Sequence, residues 1–189
     1  MKKSTSLRPL TIGLLGISAF ALAGCKEEVV EATVWQSPAA CAASGEATPA
    51  ECEKGLAEAQ AAHQETAPRY DAKAVCEEQH GVGNCVTDQS SGGGSIFMPI
   101  LMGYMMGKLM SGGLGGGAGA AAKPLYPTPG GQMATADGGT RFNAGNGKTS
   151  VPAKSFAPAP TTVGKPPMSA AQVRSTGGFG QRATGGASS

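Results

Sequence analysis

Apolar positions along this chain fall into runs of different character. Leu10–Ala23 carries no charge and follows Lys2, Lys3 and Arg8. A positive start, an apolar middle and small residues at the end are the layout of a secretory signal. The run is too short to cross a bilayer as a helix, which needs about 20 apolar residues. Glu31–Gln36 (Glu-Ala-Thr-Val-Trp-Gln) suggests a short extended piece. Ser37-Pro38 then offers a cap followed by proline at a first helical position. Thr48-Pro49-Ala50-Glu51 has the spacing of a capping box. From there the pattern predicts a helix to about Thr66, ended before Pro68. Cys52, Leu56, Ala59 and His63 recur on it at helical spacing. A further helix is expected from near Asp71 to Gly81, with Gly81-Val82-Gly83-Asn84 as a turn that delivers Cys85.

Residues 96–110 read Ile-Phe-Met-Pro-Ile-Leu-Met-Gly-Tyr-Met-Met-Gly-Lys-Leu-Met, with Lys108 the only charge. Gly103, Gly107 and Ser111 stand four apart, a row of small residues that lets another backbone approach a helix closely. The pattern predicts one Met/Gly-rich apolar helix over 96–111, with Gly103, Tyr104 and Gly107 as its contact face. Its expected partner is the membrane, a second copy or another envelope protein. Folding back onto the preceding unit is the competing reading. A third is a Cu(I) site at Met98, Met102 and Met105, because soft metals favour thioethers. From Gly92 to Ser189 there are 23 glycines and 9 prolines in 98 residues, the composition of low-complexity chain. Val151–Pro167 suggests extended polyproline conformations. Gly177-Gly178-Phe179-Gly180 is a lone aromatic in a glycine tract.

The expected organisation is therefore a signal at 1–24, an acidic head at 25–90, a Gly/Ser linker at 91–95, the apolar helix at 96–111 and a low-complexity tail at 112–189. The expected fold class is a small, mostly-α, disulfide-stapled head, one Met/Gly-rich helix, and a long disordered C-terminal tail rich in Gly, Pro and Ser.

Charge sharpens this division. The net charge of +2 becomes about −1 once Lys2, Lys3 and Arg8 leave with the signal. Residues 25–88 carry twelve acids and four bases, whereas residues 89–189 carry eight bases and one acid, Asp137. A basic tail in the envelope suits anionic lipid headgroups or glycans. The bases are spread out and form no patch, which favours the plainer reading that they keep a disordered tail soluble; no nucleic-acid partner is expected.

Five cysteines are present. Cys25 closes the signal segment, and beyond it an even set remains: Cys41, Cys52, Cys76 and Cys85. In a small exported unit this reads as a disulfide framework. The similar loop sizes favour Cys41–Cys52 and Cys76–Cys85, and a crossed pairing stays open. No Cys-x-x-Cys is present, and the gaps do not match zinc spacing. His63 and His80 lie on charged helices, where a solvated histidine is the expectation. No Ser-His-Asp order, phosphate loop or metal-ligand spacing stands out, so a catalytic role, a metal and a cofactor are not expected.

Two resemblances add to this reading. Leu22-Ala23-Gly24-Cys25 resembles the lipobox of bacterial lipoproteins. That resemblance implies removal of residues 1–24 and diacylation of Cys25, which becomes the N-terminus. Thr66–Tyr70, Cys76 with Gly83-Asn84-Cys85, Phe97-Met98-Pro99 through Gly107, and Gly177–Gly180 resemble the YgiB-like family of uncharacterised Gram-negative envelope lipoproteins. The resemblance covers the whole mature chain and implies location and architecture, not chemistry. Lys26, which is not aspartate, suggests sorting to the periplasmic face of the outer membrane.

Overall fold

The computed structural model describes residues 28–88, 95–107, 122–143, 145 and 147–179. Strand β1 (Val29–Trp35) leads into three helices: α1 (Pro38–Ser44), α2 (Pro49–Thr66) and α3 (Lys73–His80). Strands β2 (Cys85–Asp88), β3 (Ile96–Pro99), β4 (Gly103–Gly107), β5 (Lys123–Pro127), β6 (Met133–Thr135), β7 (Arg141–Phe142) and β8 (Gly147–Pro152) follow. A 3-10 turn (Ala153–Phe156) and helix α4 (Ala170–Thr176) complete the order.

The fold is mixed α/β, which corrects the expectation of a mostly-α head with a disordered tail. Of the described residues, 34% are helical and 29% are strand. The described part of the expected Met/Gly helix holds two strands, β3 and β4. The expected disordered tail supplies β5 to β8, the 3-10 turn and α4. The helical reading failed at β4 because the sheet there is buried on both faces. Such a strand shows a continuous apolar run with no alternation. Met105 points into the sheet's inner core, while Tyr104 and Met106 lie under the helices.

Six strands pair antiparallel in the order β7-β6-β5-β4-β1-β8. β1 is central to the joining of the two halves. It pairs with β4 from Ala32↔Gly107 to Trp35↔Tyr104, and with β8 from Val29↔Pro152 to Val34↔Gly147. β7 and β8 are consecutive in sequence yet occupy opposite edges. Five Cα steps from Phe142 to Gly147 reach at most about 18 Å. A flat six-stranded sheet is about 24 Å wide. The sheet must therefore curl, and it forms an antiparallel half-barrel. Its inner face closes on Ala32, Val34, Met105, Leu125, Met133, Phe142 and Val151, contributed by all six strands.

The outer face is covered by α1 and α2. Trp35 and Tyr104 pack there with Cys41, Cys52, Ala59 and Ala122. Tyr104 is fully buried and donates from Oη to the Cys52 carbonyl at 3.1 Å. α2 begins with the expected capping box: Thr48 Oγ1 accepts from Glu51 N–H, and Thr48 N–H donates to the Glu51 carboxylate. Cys41 stands beside Cys52 and Cys76 beside Cys85 at disulfide distance, with Cα separations of 5.8 and 6.2 Å. The first bond ties α1 to α2, and the second ties α3 to β2.

A buried ion pair joins these parts. The Arg69 and Asp88 side chains are 4% and 2% exposed and meet at 2.8 Å. Arg69 also donates to the Gln64 carbonyl at 2.7 Å, to the Ala67 carbonyl at 3.4 Å and to Thr162 Oγ1. Thr162 lies in the strap between the 3-10 turn and α4, and its N–H donates to the Glu65 carbonyl at 2.8 Å.

Replacing Arg69 by leucine leaves Asp88 buried without its cation, and should cost about 3–5 kcal/mol in urea-unfolding free energy. A second substitution tests the close approach at β4. A Cβ on Gly103 would sit 2.6 Å from the Trp35 carbonyl oxygen. Gly103→Ala should therefore lower stability by roughly 1–3 kcal/mol. Gly130→Ala has nothing within 4 Å of the new atom and serves as the neutral control.

Candidate functional site

The most unusual feature is a buried row of rings that alternates tyrosine and histidine. Its members come from the end of α2 (His63), the segment after it (Tyr70), the end of α3 (His80) and β5 (Tyr126). His80 is fully buried, and His63 is 8% exposed. This corrects the expectation that both histidines are solvated. Ring centroids are 5.6 Å apart for His63–Tyr126, 6.3 Å for Tyr126–His80 and 5.5 Å for His80–Tyr70.

The hydrogen bonds assign the protons at His80. Its Nδ1 is 2.8 Å from the Pro127 carbonyl, which can only accept, so Nδ1 carries the hydrogen. Nε2 is then the acceptor for the Tyr70 hydroxyl at 2.8 Å. Burial lowers the His80 pKa to about 4, opposed by the bond to Pro127. Burial likewise lowers His63, helped by the nearby Arg69 charge and opposed by Asp88. Burial raises the hydroxyls of Tyr70 and Tyr126. Desolvation disfavours the charged form of each group, so the row is uncharged at neutral pH. The His63 Nδ1 to Tyr126 Oη distance is 3.2 Å, and either tautomer of His63 satisfies it.

Phe179 closes this row. Its ring lies 4.3 Å from His80, centroid to centroid, and edge-on to Tyr126 at 6.5 Å. The Phe179 N–H donates to Gln79 Oε1 at 2.7 Å. Gly177 and Gly178 precede it with φ of 83° and 81°, in the left-handed region. A Cβ on Gly178 would meet Gln79 Oε1 at 2.7 Å. The Gly-Gly-Phe tract is thus a clasp that carries the chain from α4 onto α3. Beside it opens a cleft of about 480 Å³, walled by Glu78 and Gln79 of α3, the Thr128–Gln132 turn, Arg141 of β7, and Arg174 of α4, with Phe179 lining it.

The residues singled out in the sequence are distributed differently. Cys25 lies outside the described residues. Gly103 and Tyr104 are buried in β4, and Gly107 is half-buried, where a Cβ would meet the Phe156 ring at 2.9 Å. These small residues serve contacts within the chain. Met98 packs with Ala67 and Tyr126, whereas Met102 and Met105 belong to the half-barrel core. Among the described residues, no group of three or more His, Cys, Asp or Glu is placed to hold a metal. No described helix is long and apolar enough to cross a membrane. The buried histidines had a signal in the sequence. His63 follows Ala59 by four, and His80 follows Cys76 by four, so each shares a helix face with a core residue.

A profile of the family described as protein of unknown function (DUF1190) matches residues 29–189. The chain belongs to this family. DUF1190 relatives include the UPF0441 protein of Klebsiella pneumoniae strain 342, which is 30% identical over 200 aligned positions covering 95% of this chain and 84% of the relative. The UPF0441 protein of Erwinia tasmaniensis is 31% identical over 195 positions, with 95% and 84% covered. That of Pectobacterium carotovorum subsp. carotovorum is 32% identical over 182 positions, with 88% and 78% covered. These matches support the YgiB-like family read from the motifs. No solved structure matches.

The histidine assignment has a pH consequence. Unfolded His80 protonates near its ordinary 6.5, but folded His80 does so only at about 4. As pH falls the unfolded chain binds the proton first, so stability declines from about pH 6.5 to about pH 4 and levels below that. The contribution is on the order of 3 kcal/mol. His80→Gln should show a shallower loss of melting temperature between pH 7 and pH 4 than the wild type. Equal slopes would assign the acid sensitivity to other groups.

Proposed function

We propose that this protein is a lipid-anchored component of the Gram-negative envelope that acts as a non-enzymatic binding or structural module. The observation that carries the reading is the lipobox-like Leu22-Ala23-Gly24-Cys25 at the end of an uncharged apolar run, with the fold close behind it. Described structure begins at Glu28, whose carbonyl already accepts from Ala153 N–H at 2.8 Å. Only Lys26 and Glu27 separate it from Cys25, a tether of at most about 11 Å. Acyl chains on Cys25 would hold the start of β1 against the bilayer surface. One acyl chain binds membranes only marginally, so stable attachment requires the multiple chains that a lipobox cysteine receives. Lys26 supports the periplasmic face of the outer membrane as the site. Two cysteine pairs at disulfide distance suit an oxidising compartment. The non-enzymatic role is supported by the burial of the Tyr–His row, whose ring nitrogens and hydroxyls are taken up by one another and by the Pro127 carbonyl.

Cys25→Ser should abolish incorporation of radiolabelled palmitate and move the protein from the membrane pellet to the soluble fraction. Retention in the pellet after a high-salt wash, with no label incorporated, would show that attachment does not run through Cys25.

A further inference from the structure

The cleft beside the Gly-Gly-Phe clasp has a lining that the structural role of the clasp does not use. Arg141 from β7 and Arg174 from α4 both line it, although they stand 33 positions apart in the chain. Among the described residues neither has an acidic group within ion-pair distance, although Glu78 lines the same cleft. Arg141 makes one long bond, from Nη2 to the Phe179 carbonyl at 3.4 Å. Among the described residues most of its five N–H donors are therefore uncommitted, and both side chains belong to exposed residues. A guanidinium presents a planar fork that matches a carboxylate or phosphate with two parallel hydrogen bonds.

The remaining walls narrow the ligand class. Phe179 lines the cleft, is half-buried, and is fixed by its contact with His80. It offers a rigid apolar surface with a favourable quadrupole toward C–H groups. Glu78, Gln79 and Gln132 supply polar side chains around it. Gln79 Oε1 is taken by the Phe179 N–H and Thr128 Oγ1 by the Gln132 backbone, so among the described residues the Gln79 amide nitrogen and Gln132 Oε1 are the amide atoms left to a ligand. A hydrophobic ligand would leave two guanidinium groups without a counter-charge, and a cation would meet two arginines against one glutamate. A volume of about 480 Å³ lies in the range of small-molecule sites. We infer that this cleft binds a sugar that carries a carboxylate or a phosphate. The anionic group sits between Arg141 and Arg174, the ring lies against Phe179, and the hydroxyls face the amide side chains. The inference does not depend on acylation of Cys25, so it stands or falls separately from the anchoring reading.

The test is ligand-observed saturation-transfer NMR on the full chain, extracted in detergent. The probes are N-acetylmuramic acid, N-acetylglucosamine 1-phosphate, neutral N-acetylglucosamine and inorganic phosphate. At least one charged sugar should bind ten times more tightly than the neutral sugar, and which one does so separates the carboxylate source from the phosphate source. Arg141→Gln combined with Arg174→Gln should weaken that binding at least tenfold with an unchanged unfolding midpoint. Phe179→Leu, which keeps an apolar plug over His80, should weaken the sugar and leave any phosphate affinity as it was. No binding of any probe, equal binding of charged and neutral sugars, or wild-type affinity in the double-arginine variant would overturn the inference. Inorganic phosphate competing as well as the charged sugar would also overturn it, by reducing the cleft to an anion site.

Discussion

Arg69 is a cation out of reach of water, and three segments of the chain are arranged to make that tolerable. Removing such a charge from solvent costs several kcal/mol, which only a close counter-ion and further acceptors can offset. Asp88 supplies the counter-charge and thereby fixes the end of β2. The carbonyls of Gln64 and Ala67 lie at the end of α2, where a helix leaves carbonyls unsatisfied and favours positive charge. Thr162 belongs to the strap and is drawn in by the same guanidinium. Its hydroxyl also donates to the Ala67 carbonyl at 2.7 Å. The strap in turn leads to Met168, whose N–H donates to the Arg69 carbonyl at 2.7 Å, and so to α4 and the Phe179 clasp. One buried charge therefore orders the end of the long helix, the β2–β3 hairpin and the approach to the cleft.

Much of the helical half is legible because its signals are local. The capping box at Thr48 and Glu51, the proline after Ser37, and the break before Pro68 each act within one turn of a helix. They place α1 and α2 close to where the chain forms them, and the Gly81–Asn84 turn does the same for the end of α3. The sheet is illegible for the opposite reason. β4 reads as a helix since Gly103, Gly107 and Ser111 stand four apart in an apolar run, and burial on both faces removes the alternation that marks a strand. β5 to β8 are two to six residues long, and no short window carries a periodic signal. Their glycines count toward low complexity in a composition sum, yet Gly131, Gly138 and Gly147 have positive φ in the connections and strand starts between them. A glycine-rich stretch of turns and a glycine-rich disordered tail differ in arrangement, not in composition.

The candidate site shows the same division. His63 and His80 were visible as members of helix faces, but a charged helix argues for solvation until its partners are known. Those partners, Tyr126 and Pro127, stand some fifty to sixty residues away on β5. Phe179 was visible as an isolated aromatic, and its role comes from its ring contact with His80 and its N–H bond to Gln79, about a hundred positions earlier. Sequence spacing cannot carry contacts of that range without the sheet that creates them.

The polarity of charge along the chain takes a different meaning from the half-barrel. An acidic first part and a basic second part suggested a head and a separate reaching tail. The inner core instead takes Ala32 and Val34 from the acidic part and the remaining five residues from the basic part. Lys148 of β8 reaches Glu46 of the α1–α2 connection at 2.8 Å, which raises its pKa through that hydrogen bond and charge. Exposed pairs of this kind contribute little to stability, so they do not hold the parts together. They follow from a fold in which β1 is flanked by β4 and β8. The opposite charges are neighbours on one body, and their near balance lets the second half of the chain complete the sheet without net repulsion between the halves.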